Sequence, residues 1–365
     1  MEKVKVLVAD DSAFMRKLIQ EILLASDQIE IAGTARNGKD VIEKVKKLKP
    51  DVVTMDIEMP VLNGIEALRI IMEETPVPVV MLSSATQTGA ENTMLAMQYG
   101  AVDFIAKPSG PISLDLQTIE KKIVEKVLEA SKANLSCLVC QNSEENLLSS
   151  QLLKSSKIEL AQTSSIRQDG LTWEASMKKI ICIGTSTGGP RALQAVLTKL
   201  PASLNAPIVI VQHMPPGYTK SLANRLDSLS EIHVKEAEDG EVLQNGTAYI
   251  APGGCHLLVK RMSAGLMVKF EKTELRNGHR PSVDILFESI SLLDDYAKVA
   301  VIMTGMGSDG AQGLIQLAKG GKVKAIAESE ESSIVFGMPK AAISTMLVDE
   351  IQNVENIART ILKYV

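Results

Sequence analysis

Short β-branched runs alternate with helix-period segments from the third residue onward, and this alternation limits the fold more than any other feature of the 365-residue chain. "KVKVLVA", "IEIAGTA", "DVVTM", "PVVML" and "VDFIA" are five buried-strand patterns. Helical spacing lies between them, as in Phe14, Leu18 and Ile22, and in Val41, Ile42, Val45 and Leu48. Strands alternating with helices in this way predict a doubly wound parallel sheet, because parallel neighbours need crossover helices. The pattern covers residues 1–125. It stops over residues 126–177, where "SCLVCQNSEENLLSSQ" and its surroundings are rich in Ser, Gln and Asn without a sustained period, and this stretch reads as a linker. It resumes over residues 178–365 with "KKIICIG", "APIVIVQ", "KVAVIMTG" and "KVKAIA". Within this second, larger α/β unit, the segment 242–271 differs: "TAYIAP", "CHLLVK" and "LMVKFE" read as antiparallel hairpins inserted into the parallel pattern.

Composition removes several function classes. Aromatic residues are only 3% of the chain, so the core must be aliphatic. The formal charge of -5, with no Lys/Arg-rich block, argues against a nucleic-acid footprint. A membrane span needs about 20 consecutive apolar residues, and no such run exists, so membrane insertion is not expected. "MEKVKVLVADD" enters a strand almost at once and does not read as a signal peptide. Four cysteines are too few for a disulfide framework. These features predict a cytoplasmic location.

Chemistry-bearing residues collect at strand ends. Asp10 and Asp11 follow the first strand, Asp56 the third, Ser83 the fourth and Lys107 the fifth. The carboxyl ends of parallel strands share one edge, where ligands bind. Three carboxylates there repel one another unless a hard divalent cation such as Mg²⁺ takes their oxygens. A lysine beside a carboxylate nucleophile would stabilise phosphoryl transfer. Taken singly, each aspartate reads as a turn or N-cap residue. Together, "LVADDS", "DVVTMDIEMPVLNGIEAL", "PVVMLSS" and "GAVDFIAKP" resemble a response-regulator receiver domain. The resemblance implies phosphorylation of Asp56 by a histidine kinase. It further implies Mg²⁺ held by Asp10, Asp11, Asp56 and the Glu58 carbonyl, with Ser83 and Lys107 on the phosphoryl group.

The second unit opens on "GTSTGGP", residues 184–190. Gly184–Gly188 fits G-x-S-x-G, a tight strand-to-helix turn that exposes a serine hydroxyl and leaves backbone N–H groups free for an oxyanion. The stretch lacks the P-loop lysine and the GxGxxG spacing, so the two commonest phosphate cradles do not fit. A serine nucleophile needs a base, and of the four histidines only His213 ends a parallel strand on the same edge as Ser186. His233 reads as surface, His256 as structural or substrate-facing, and His279 as a residue that could touch substrate. Asp309, in "MGSDGAQG", stands where it could orient the imidazole or simply cap a helix.

"GTSTGGP", "VQHMPPGYT", "YIAPGGCHL", "HRPSVD", "MTGMGSDGAQGL" and "VFGMPKAA" together resemble the catalytic domain of the CheB family of chemotaxis methylesterases. That resemblance implies Ser186 as nucleophile, His213 as general base and Asp309 as its orienter, with Thr187, Gly188 and the Met306 backbone around the oxyanion. It implies hydrolysis of glutamyl methyl esters on methyl-accepting chemoreceptors, and glutamine deamidation as a second activity. No cofactor is required for the ester chemistry. Two departures, Cys255 and the run Ala327-Glu328-Ser329, fall outside the expected triad. Cys137 and Cys140 spell CxxC, but no second pair lies nearby to complete a zinc site, and they read as ordinary linker thiols. The rival readings are an output domain that binds a nucleotide at "GTSTGG" and a DNA-binding output.

Overall fold

The computed structural model describes residues 3–84, 86–107, 116–139, 173, 177–263 and 265–365. The first unit is a five-stranded sheet in the order β2-β1-β3-β4-β5, with every pair parallel. Its strands are β1 (Val4–Ala9), β2 (Ile29–Ala35), β3 (Val52–Asp56), β4 (Val79–Ser83) and β5 (Asp103–Ala106). The crossovers are α1 (Ala13–Leu24), α2 (Gly38–Leu48), α3 (Gly64–Glu74) and α4 (Gln87–Gln98), and α5 (Leu116–Ala130) follows β5. β3 and β4 are buried at every position, which is why they read as nearly continuous apolar runs. The helices begin where short polar side chains cap them: Ser12 accepts from Met15 N–H, Asn37 from Asp40 N–H and Asn63 from Glu66 N–H. The buried stripe of α1 is Ile19, Ile22 and Leu23, whereas Phe14 is 72% exposed. Phe14 shares helical spacing with the stripe but lies in the first turn of the helix, ahead of its buried residues.

After α5 the described chain continues through α6 (Ser136–Val139). This part of the expected linker lies against the second unit: Asn134 N–H donates to the Ile334 carbonyl at 3.0 Å. Leu138 is buried, and Cys137 Sγ lies 3.0 Å from the Glu331 carbonyl. Cys140 and most of the remaining expected linker lie outside the described residues.

The second unit is a seven-stranded sheet in the order β14-β13-β12-β6-β7-β9-β8, again parallel throughout. The strands are β6 (Lys178–Thr185), β7 (Ile208–Gln212), β8 (His233–Glu236), β9 (Thr247–Ile250), β12 (Tyr296–Ile302), β13 (Val323–Glu328) and β14 (Glu350–Gln352). Helices α7 (Gly189–Leu197), α8 (Tyr218–Asp227), α9 (Val283–Ser291), α10 (Ala311–Lys319), α11 (Met338–Ser344) and α12 (Val354–Leu362) surround it. One hairpin, β10 (His256–Met262) with β11 (Gly265–Glu271), forms a separate antiparallel pair. "TAYIAP" is therefore not part of a hairpin: β9 pairs in parallel with β7 and β8. Its four residues are all buried, and what fixes its direction is a partner strand about 40 residues earlier in the sequence. β6, β7 and β12 form the centre of the sheet, and burying each Ile or Val side chain there contributes roughly 1.5–3 kcal/mol. That rigid centre carries the site.

Candidate active site

β6 lies between β12 and β7, so the loops leaving these three strands meet at one edge. The chain leaves β6 at Thr185 and enters α7 at Gly189. Gly188 takes φ +77°, a conformation that a side chain would strain. A Cβ on Gly189 would stand 1.9 Å from Gln212 Oε1, so that position must also lack a side chain. The turn is pinned around half-buried Ser186. Its N–H donates to the Thr304 carbonyl at 3.0 Å, and its carbonyl accepts from Gly189 N–H at 2.8 Å and Gln212 Nε2 at 2.9 Å.

His213 follows β7 directly, and its N–H donates to the Thr185 carbonyl at 3.2 Å, which sets it beside the Ser186 turn. Its Nε2 lies 2.8 Å from Asp309 Oδ2, and the two side chains are 5% and 2% exposed. Asp309 is surrounded by donors. Oδ2 also accepts Val283 N–H at 2.7 Å, and Oδ1 accepts the Ser282 hydroxyl at 2.9 Å, Asn277 Nδ2 at 3.1 Å and Asp284 N–H at 3.2 Å. The carboxylate thus sits on the N-terminus of α9, where free N–H groups favour negative charge. Burial opposes its ionisation, but His213, Val283 N–H and the Ser282 hydroxyl outweigh burial and hold Asp309 well below the usual carboxylate range. An ionised Asp309 can only accept, so Nε2 carries the imidazole proton and Nδ1 is the basic nitrogen. Among the described residues Nδ1 is buried with no hydrogen-bond partner, so neither ring nitrogen bonds Ser186 in this structure.

Asp284 returns the arrangement from α9: its Oδ1 accepts Gly310 N–H at 2.9 Å and Gly313 N–H at 2.6 Å, at the start of α10. Each helix N-terminus is therefore capped by a carboxylate beside the other, which fixes the loop that carries Asp309. His279 stacks on His213 with ring centroids 3.8 Å apart and planes 4° from parallel. Burial and the neighbouring His213 push the His279 pKa down to about 3, so it stays neutral.

Gly305 N–H donates to the Val335 carbonyl, and the Gly305 carbonyl accepts Met338 N–H at 2.8 Å. A trans peptide points its C=O and N–H in opposite directions, so this bond turns the Met306 N–H away from α11. The Thr187 carbonyl is likewise taken by Thr304 Oγ1 at 2.9 Å, which turns the Gly188 N–H outward.

At the edge of the first sheet, Asp10, Asp11 and Asp56 bring ligand oxygens within 4.8 Å of one another. Lys107 Nζ stands 2.9 Å from Asp10 Oδ2 and 2.8 Å from Asp56 Oδ2. Burial raises the Asp56 pKa, with Lys107 working in the opposite direction. An all-oxygen donor set of three carboxylates suits a hard divalent cation. Ser83, also at a strand end, turns its hydroxyl to the Gly89 carbonyl at 3.0 Å and accepts from Thr93 at 2.7 Å. Glu58 is exposed, and its backbone N–H bonds Asp56.

Residues 181–361 match the model of the family described as CheB methylesterase, and residues 6–118 match that of the response regulator receiver domain. The chain belongs to the CheB methylesterase family. It is 53% identical to a protein-glutamate methylesterase/protein-glutamine glutaminase of Geobacillus kaustophilus, covering 100% of this chain and 99% of that one. It is 51% identical to a protein of the same name from Bacillus subtilis, covering 98% and 97% of the two chains. Among solved structures it resembles the Thermotoga maritima CheB methylesterase catalytic domain, with 44% identity and a TM-score of 0.50, covering 52% of this chain and 99% of that one.

In this family member the receiver unit and the Ser186 turn touch. Thr187, next to Ser186, donates its hydroxyl to Asp103 Oδ2 at 2.6 Å. Asp103 also takes Lys126 Nζ on Oδ1 at 2.6 Å. Phe104 packs on Tyr218 with centroids 4.5 Å apart, and the Tyr218 hydroxyl donates to the Ser84 carbonyl at 3.1 Å. Gln98 Nε2 reaches Gln194 Oε1 at 3.3 Å. The structure therefore brings together Ser186, His213 and Asp309 at one edge, and Asp10, Asp11, Asp56 and Lys107 at another. It also adds residues that sequence reasoning passed over: Ser282, Asn277 and Asp284 around Asp309, and Asp103 and Tyr218 between the units. The only sequence signal for the first group was the polar stretch before α9, "RNGHRPSVD". His233 is exposed and bonds Asp227, and His256 is buried with Nε2 near the Glu274 carbonyl. Among the described residues, no helix is long and apolar enough to cross a membrane.

Proposed function

We propose that this chain hydrolyses glutamyl methyl esters on methyl-accepting chemoreceptors and deamidates receptor glutamines, with Ser186, His213 and Asp309 as its catalytic residues. The observation that carries the reading is the imidazole of His213. It is anchored to an ionised Asp309 through Nε2, which leaves Nδ1 as the basic nitrogen, and the His213 backbone N–H is bonded to the Thr185 carbonyl beside Ser186. In acylation, Ser186 Oγ attacks the ester carbonyl carbon while its proton passes to His213 Nδ1. The Gly188 and Met306 N–H groups, with Thr187 shaping the turn, receive the oxyanion. The tetrahedral intermediate collapses, the C–O bond to the methyl ester oxygen breaks, and methanol leaves with the proton from Nδ1. Water then attacks the acyl-enzyme with His213 again as base, releasing glutamate and Ser186. An amide in the same place leaves as ammonia. Asp309 keeps its charge throughout and stabilises the imidazolium. His279, held neutral, adds no competing charge against that imidazolium.

Regulation belongs to the receiver, residues 1–125, joined by a linker over 126–177 to a catalytic unit over 178–365. A histidine kinase supplies the phosphoryl group to Asp56, and Lys107 and Ser83 contact it once it is there. Mg²⁺, held by Asp10, Asp11, Asp56 and the Glu58 carbonyl, would neutralise charge during that transfer, and the ester chemistry needs no cofactor. Unphosphorylated, the receiver holds Thr187 through Asp103 and covers the Ser186 edge. Phosphorylation loosens that hold. The location is cytoplasmic, where kinase and receptor signalling helices are within reach.

The test is methanol release from methylated receptor membranes, with and without a small-molecule phosphodonor and Mg²⁺. Wild type should release methanol faster with the donor, and Ser186→Ala should release none. Release by Ser186→Ala at the wild-type rate would remove the serine mechanism.

A further inference from the structure

Glu328 ends β13 with its side chain buried, 1% exposed, and the mechanism above gives it no task. Oε2 accepts Thr304 N–H at 2.7 Å, and Oε1 accepts the Ser332 hydroxyl at 3.0 Å. Ser332 Oγ is itself fixed by Val354 N–H at 3.0 Å, so the carboxyl is anchored from α12 on one side and grips β12's exit on the other.

Thr304 is the hub on which the Ser186 turn hangs. Its carbonyl accepts both Ser186 N–H and the Thr185 hydroxyl, each at 3.0 Å. Its Oγ1 donates to the Thr187 carbonyl at 2.9 Å and accepts Val335 N–H at 3.0 Å. The peptide entering the nucleophile and the Thr187–Gly188 peptide, whose far side is the Gly188 N–H, are thus both oriented by one residue. The bond from Glu328 fixes the peptide plane that leads into this hub. Burial pushes the Glu328 carboxyl up to about 7, against the pull of Thr304 N–H and the Ser332 hydroxyl. An apolar side chain at the end of β13 would avoid that cost but would leave Thr304 N–H unpaired beside the nucleophile.

We infer that Glu328 is a positioning residue for the ester chemistry: through Thr304 it holds the Ser186–Gly188 turn, and with it the oxyanion N–H, in reactive geometry. The inference rests on the reading of Ser186 as the esterase nucleophile.

Three variants of the full chain test it. E328Q keeps an oxygen for Thr304 N–H, E328A removes it, and E328D draws it back by one methylene. Two readouts are taken: kcat and KM for methanol release with phosphodonor and Mg²⁺, and the rate at which a fluorophosphonate labels Ser186. In the second, Ser186 Oγ bonds to phosphorus and fluoride leaves, independent of the natural ester. In E328A, kcat and labelling should both fall about 10–100-fold, the scale of a misplaced reacting group. KM should stay within about twofold, and E328Q within about threefold of wild type on both readouts, since uniform binding is untouched. E328D should fall between them, and it carries the comparison alone if E328A does not fold. E328A or E328D at wild-type rates, or E328Q as impaired as E328A, would overturn the inference. No methanol from wild type, with labelling still slowed in E328A, would keep the positioning role and remove the receptor-ester reading. Wild type that the probe does not label would remove both.

Discussion

Asp103→Ala should raise the esterase activity of the unphosphorylated chain, although Asp103 belongs to the receiver and is 84 residues from Thr187 in sequence. Asp103 is buried, 6% exposed, and its carboxylate accepts the Thr187 hydroxyl at 2.6 Å. A hydrogen bond to a charged group is worth about 1.5–3 kcal/mol. At about 1.4 kcal/mol per tenfold, its loss shifts the docking equilibrium roughly 10- to 150-fold toward the open arrangement. Lys126 also loses its partner on Oδ1, but that loss is common to docked and open states and cancels from the ratio. The Tyr218–Ser84 and Gln98–Gln194 bonds remain, so docking is weakened and not abolished. Methanol release without phosphodonor is the assay. Basal activity should rise several-fold or more, up to the ceiling of the fully open chain, and the response to phosphodonor should shrink correspondingly. Thr187→Val in the same background closes a double-mutant cycle, and a coupling of about 1 kcal/mol or more is expected if the two side chains act through each other. Basal activity unchanged in Asp103→Ala, or effects of the two substitutions that simply add, would refute the reasoning.

Asp309→Asn keeps the shape of the side chain but replaces a carboxylate oxygen by an amide among N–H donors, so kcat should fall about 10³–10⁴-fold; a loss under tenfold in the phosphodonor-activated assay would contradict the role given to its charge. Glu328 makes a stability prediction as well. Its folded pKa near 7 lies above the ordinary 4.5, so the folded state binds the proton more tightly, and the stabilisation is complete below pH 4.5 and lost as pH rises through 7. At about 1.4 kcal/mol per pH unit the gap is worth roughly 2–3 kcal/mol between pH 5 and pH 8. Urea melts of wild type should lose that much relative to Glu328→Gln over the same range, and parallel slopes would show that the carboxyl is not the titrating group.

The parallel sheets were legible because β-branched runs and helical spacing are local signals, and a strand buried on both faces announces itself by a nearly continuous apolar run, as β4 and β7 do. β9 was misread for a related reason. Its Tyr249 and Ile250 precede "APGGC" and a true hairpin, and nothing within the segment says that Ile208 lies beside Ala248. Phe14 shows the limit of periodicity: spacing gives the face of a helix, not how far along it the sheet extends. Strand ends were the informative positions for the site, since Ser186, His213 and Asp309 all leave neighbouring strands toward one edge. The support around Asp309 was not legible, because a serine before a helix and an asparagine in a turn have ordinary capping roles. Only the approach of α9 and α10 shows that they surround one carboxylate. Asp103 was hidden for the same reason: its partner belongs to the other half of the chain.

β5 is where the two halves become one device. Lys107 follows the strand and reaches both Asp10 and Asp56, while Asp103 opens it and holds Thr187. About 13 Å of extended chain, at roughly 3.3 Å per residue, therefore separates the lysine beside Asp10 and Asp56 from the carboxylate that holds Thr187. Phe104, between them, packs on Tyr218, whose hydroxyl is bound to the residue after Ser83. On the proposed phosphorylation of Asp56, the phosphoryl group would add about 1.5–2 negative charges there and compete for Lys107. The segments that must adjust, β5 and the end of β4, are the ones that supply Asp103, Phe104 and Ser84 to the interface. On that reading the three contacts share one origin and would respond to one event. Linkage then runs both ways: contacts that phosphorylation weakens must themselves disfavour the phosphorylated form, so the docked catalytic unit restrains the receiver as much as the receiver restrains it.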